Sequence, residues 1–93
     1  MNKWFEVETG AVAQEFKKLV DSWDEDNTII KCLHHERTKR SVIFDMSADE
    51  VKFSFRRVGE KFSLLFNGEH EFIQKETFQF FENICTQFLK DCA

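Results

Sequence analysis

Between Phe44 and Phe72 hydrophobic residues recur at every second position, and from Phe78 to Phe88 they recur at steps of three and four. A period of two belongs to a strand whose side chains alternate between faces, and a period near 3.6 to a helix; the change of rhythm predicts a sheet followed by a helix. An earlier stretch already has the helical pattern. Val12, Phe16, Leu19, Val20 and Trp23 line one side, with Glu15, Lys17, Lys18 and Asp21 on the other, which predicts an amphipathic helix over about 10–23. Thr9 is its candidate N-cap, and Trp4-Phe5-Glu6-Val7 is a lead-in. Asp24-Glu25-Asp26-Asn27 ends the helix, because acidic side chains oppose the macrodipole at a C-terminus.

Five strand-like segments follow at about 28–36, 40–46, 50–58, 61–66 and 69–73. Asn67-Gly68 suits a two-residue turn that needs positive φ at both central positions. Gly59-Glu60, Ser47-Ala48-Asp49 and Arg37-Thr38-Lys39 supply the other reversals. Such short links join antiparallel neighbours, so the sheet is expected to be a meander. Alternation assigns Ile30, Cys32, Val42, Phe44, Met46, Val51, Phe53, Phe55, Phe62, Leu64, Phe66 and Phe72 to its apolar face. A second helix over about 75–91 carries Phe78, Phe81, Cys85, Phe88 and Cys92 on one stripe. The expected fold class is therefore α+β: a two-layer sandwich of four to five antiparallel strands, with an N-terminal and a C-terminal helix packed on one face.

Composition bounds the rest. With 93 residues, 42% of them hydrophobic and twelve of them Phe, the chain can enclose one core, and residues 1–93 are expected to form a single domain. The three cysteines, Cys32, Cys85 and Cys92, are odd in number and unpatterned in spacing, and are expected to be reduced thiols packed as small hydrophobes. No apolar run approaches the roughly 20 residues of a membrane span, and the N-terminus has no export signal, so the expected setting is the cytoplasm, or the cytoplasm of a host cell.

The reverse face of the sheet is not wholly polar. Ile29, Leu33, Ile43, Leu65 and Ile73 share its parity and form a candidate docking stripe, with Lys52 and Arg56 among them. Charge is uneven along the chain. The net charge of −4 comprises −4 over residues 1–30, +3 over 31–62 and −3 over 63–93. The basic middle holds a candidate tip of Arg37, Lys39, Arg40 and Arg57, which with Arg56 offers phosphate contacts. Single-strand recognition also needs exposed aromatic rings, and the Phe residues are assigned to the core. The acidic cluster Asp21, Asp24, Glu25 and Asp26 is a candidate surface for a basic partner, but it lacks the alternating oxygen ligands of a calcium loop.

Chemistry beyond binding finds little support. Cys32, His34, His35 and His70 are potential zinc ligands, yet paired spacing is missing and a regular strand would point His34 and His35 to opposite faces. Glu50-Val51-Lys52 resembles the Glu-x-Lys element of metal-dependent nucleases of restriction-enzyme type, which also requires an Asp on a neighbouring strand, a place open to Asp45. No glycine-rich phosphate loop exists. The leading expectation is a non-catalytic module without cofactor, of inhibitor, immunity, anti-defence or adaptor type, that occludes another protein or pairs with itself as a homodimer. Nucleic-acid binding through the basic hairpins and a metal-dependent nuclease are the alternatives, and no small-molecule substrate is expected.

Overall fold

The computed structural model describes residues 3–92. One helical turn, α1 (Trp4–Val7), precedes α2 (Ala11–Ser22), and five strands follow: β1 (Ile30–Arg37), β2 (Ser41–Ala48), β3 (Val51–Val58), β4 (Lys61–Phe66) and β5 (Glu69–Ile73). The chain continues as α3 (Lys75–Thr86) and a 3₁₀ turn at Leu89–Asp91. The sheet is an antiparallel meander in the order β1-β2-β3-β4-β5, as expected from its short links. Asn67 and Gly68 both have positive φ, 54° and 75°, as their two-residue hairpin requires.

Both helices cover the aromatic side of the sheet. Phe16 of α2 lies at the centre of the core, with ring centroids 4.9 Å from Phe53, 5.5 Å from Phe55, 5.3 Å from Phe66 and 5.4 Å from Phe81. Phe81 of α3 stacks on Phe55 at 4.5 Å and meets Trp4 edge-on at 4.8 Å. Fully burying one Phe stabilises a fold by about 1.5–3 kcal/mol, so this cluster is a large share of the driving force.

Two glutamates join the layers. Glu71 of β5 accepts the N–H groups of Val12 and Ala13 at 3.2 and 3.0 Å, capping α2. Glu8 is buried and accepts the Gln74 N–H and the Thr77 hydroxyl, both at 2.7 Å, at the start of α3. Helix starts leave amides without intrahelical partners, and each is served by a carboxylate distant in sequence. Thr9 is therefore not the cap of α2: Gly10 holds the N-cap position, and the acceptor comes from the sheet.

Three further expectations are corrected. Phe72 is 62% exposed, whereas Ile73 is only 8% exposed and belongs to the core. The two-residue turn is the cause. It places Glu69 opposite Phe66, so Glu71 and Ile73 take the helix side while His70 and Phe72 face out. In β1 the register shifts between Cys32 and His34, leaving Leu33 as an extra residue. Regular alternation from Cys32 would put His34 on the apolar face and His35 on the polar one, and the bulge exchanges them: His35 pairs across from core residue Phe44, with ring centroids 4.8 Å apart, and His34 lies opposite Asp45. Finally, Cys32 and Cys92 form a disulfide, Cα atoms 5.0 Å apart, which fastens the 3₁₀ turn against β1; the expected reduced pair is replaced by a bridge, and Cys85 alone is a buried free thiol.

Candidate functional site: the open face of the sheet

With α2 and α3 on one side, the reverse side of the meander is covered by no described element, and the register orders its side chains in rows. Glu36, Ile43, Arg56, Ser63 and Phe72 cross the sheet in one row; His34, Asp45, Ser54, Leu65 and His70 cross in the next. Lys31, Ser47 and Lys52 make a third. Ile43 and Leu65 are half-buried by their neighbours, while Ile29 and Leu33 are 60% and 44% exposed near the β1 edge. Four of the five proposed stripe residues thus face away from the core. Ile73 is withdrawn by the β5 register, and the exposed ring of Phe72 takes its place.

Small serines deepen this surface. Ser47, Ser54 and Ser63 are buried although they lie in the outward rows, among longer side chains. Ser54 Oγ donates to Asp45 Oδ1 at 2.6 Å, and Arg56 Nη2 lies 3.5 Å from the same oxygen. Arg56 is therefore held in the middle of the open face by a carboxylate, away from the hairpin tips with which the sequence grouped it. His34 Nε2 lies 3.3 Å from Glu36 Oε1 on the same surface. Apolar Ile43, Leu65 and Phe72 are interleaved on this face with the charged side chains of Glu36, Asp45, Lys52 and Arg56.

The other candidates fall elsewhere. Arg37 reaches Glu82 of α3 at 3.0 Å, and Arg57 Nη1 donates to the Gly59 carbonyl at 2.9 Å; both lie on the helix side of the sheet. Lys39 and Arg40 are exposed at the β1–β2 tip, which the Gly59 N–H joins through the Arg40 carbonyl at 2.8 Å. Asp24, Glu25 and Asp26 are exposed beyond α2, at the opposite end of the sheet, and Asp21 pairs with Lys17. The molecule is thus polarised along its strands, acidic where β1 begins and basic where it turns into β2.

Among the described residues, no group of three or more His, Cys, Asp or Glu side chains is arranged to hold a metal ion. Asp45 and Lys52 share the open face, but the Asp45 carboxylate is occupied by Ser54 and Arg56, and Glu50 sits in the β2–β3 turn. Burial pushes the Cys85 thiol up to about 12, with Glu82 adding to the shift, which leaves it a poor nucleophile. Burial also lowers the pKa of His35, aided by Arg37 and His34 and opposed by Glu82.

Phe72 is the residue that sequence reasoning missed. The Asn67-Gly68 turn held the signal, since counting outward from it pairs Phe66 with Glu69 and settles the parity of β5. No described helix is long and apolar enough to cross a membrane. No family model, curated protein or solved structure matches the chain.

Proposed function

We propose that this chain is a small non-catalytic protein-binding module, of inhibitor, immunity, anti-defence or adaptor type, that occludes a macromolecular partner with the open face of its sheet. One observation carries this: a sheet face uncovered by any described element presents Ile43, Leu65 and Phe72 between the anchored Arg56 and the exposed Lys52. Apolar side chains at the centre supply affinity, and surrounding charge supplies orientation and encounter rate. A second copy of the chain can engage the same face, which makes a homodimer one form of the proposal.

The proposed setting is the cytoplasm of the cell or of a host. Glutathione keeps most thiols reduced there, so the fold must then stand with Cys32 and Cys92 as a dithiol.

The test is affinity capture with the wild-type chain beside Ile43→Asp and Leu65→Asp, with light scattering for self-association. Both variants are expected to stay folded and to lose the captured protein or the dimer. Variants that unfold would place the two residues in the core, and capture that survives both substitutions would remove the open face from the mechanism.

A further inference from the structure

At the basic end of the sheet two clefts meet around a common rim of Glu60, Phe62 and Ile73. The larger, about 580 Å³, is bordered by Arg57 and Lys75; the smaller, about 350 Å³, by Lys61 and Phe72. Both are open to solvent, surface grooves and not enclosed cavities.

Each cleft sets an aromatic ring beside a cation. Phe72 is 62% exposed, with the Lys61 ammonium 5.7 Å from its ring centroid. Phe62 is half-buried, its inner side packed on Phe78 at 5.1 Å. Arg57 is fixed to the rim by its bond to the Gly59 carbonyl, and the same turn is tied to Arg40. Three cations therefore face one carboxylate, Glu60, while the acidic loop lies at the far end of the sheet.

This combination is the one whose absence weighed against nucleic acid in the sequence: cationic side chains now stand beside accessible rings. Bases stack on aromatic faces whatever their sequence, and neighbouring cations neutralise the phosphates between them. We propose that this end of the molecule binds single-stranded nucleic acid across two consecutive nucleotides that pass over the end of β4 and β5, one base on Phe72 on the open face and the next against the accessible rim of Phe62 on the helix side, with phosphate held among Arg57, Lys61 and Lys75. The site shares Phe72 with the open face but takes Arg57, Phe62 and Lys75 from outside it, so loss of oligonucleotide binding in the Arg57 and Lys75 variant is distinguishable from loss of a protein partner in Ile43→Asp or Leu65→Asp. A free nucleotide offers the same ring and phosphate chemistry in half the length, and competition separates the two sources.

Fluorescence anisotropy with short labelled oligo-dT and oligo-U strands tests this, with a free mononucleotide as competitor. Binding is expected at low salt and to weaken linearly with the logarithm of salt concentration. Because its side chain is exposed, Phe72→Ala should stay folded by circular dichroism and bind about 5- to 150-fold more weakly, the range for loss of one stacked base. Arg57→Ala combined with Lys75→Ala should flatten the salt dependence, whereas Lys18→Ala, an exposed cation on α2 outside both surfaces, should leave binding unchanged. Failure to bind either strand at low salt overturns the proposal. So does Phe72→Ala binding as tightly as wild type, which would reduce the interaction to bulk charge. A mononucleotide that competes as well as the strand contradicts the two-nucleotide form.

Discussion

The carboxylate of Glu71 occupies the space that a Cβ at Gly10 would fill. Gly10 has φ of −68°, which any residue adopts, so glycine is required there for room and not for backbone freedom. Gly10→Ala is expected to cost about 1 kcal/mol by pushing Glu71 off the amides of Val12 and Ala13, the usual size of a lost cap. Glu71→Ala should cost a similar amount. The two act through one contact, so the double variant should be no less stable than the worse single one, which urea unfolding of all four proteins would measure.

Glu8 makes the matching contact to α3 from a buried position. Glu8→Ala leaves the Gln74 amide and the Thr77 hydroxyl without their acceptor, and should destabilise by about 1–3 kcal/mol, the cost of stranding a buried donor. Glu8→Gln keeps a carbonyl oxygen in place and should cost less. Denaturant unfolding ranks the two variants.

These two braces also mark how far the sequence could be read. The helices, strands and meander were legible because Phe44, Phe53, Phe55, Leu64 and the run from Phe78 to Phe88 obey simple periods and the turns are short. Glu8 and Glu71 were not legible as caps. Their helical partners lie 66 and 59 residues away along the chain, and local capping rules look only within a turn. The histidines exchanged faces because a bulge adds one residue without a strong local signal, and the cysteine pair depends on where the chain returns after α3. The open face itself was foreseeable from parity, since Ile43 and Leu65 sit in undistorted strands.

The Cys32–Cys92 bridge closes a loop of sequence separation 60. Chain-entropy reasoning gives such a loop about 4 kcal/mol of stabilisation. Reduction with dithiothreitol, or Cys32→Ser with Cys92→Ser, should lower the unfolding free energy by up to that amount and loosen the segment from Leu89 onward. Unfolding with and without reductant measures it, and thiol counting on protein isolated from cells shows which state is used.

Cys85 should impose an alkaline slope on stability. Its thiol is raised from an ordinary 9.0 to about 12 in the fold. Between those values the unfolded chain releases the proton while the native chain keeps it, so the unfolded state binds fewer protons and stability falls as pH rises from 9 towards 12. Below pH 9 the contribution is complete. Comparing wild type with Cys85→Ala across this window isolates it: the slope of the alanine variant should be shallower by up to about 1.4 kcal/mol per pH unit. Native Cys85 should also resist alkylation at neutral pH and react once the protein is unfolded.

The most direct measurement is the binding affinity of Leu65→Asp for the captured partner, or for a second copy, set beside its thermal unfolding. A docking face predicts an unfolding midpoint within a few degrees of wild type and affinity reduced by about tenfold or more, as for truncation of a central contact residue. An unfolded variant, or one that binds as wild type does, would contradict the assignment of this face to partner recognition.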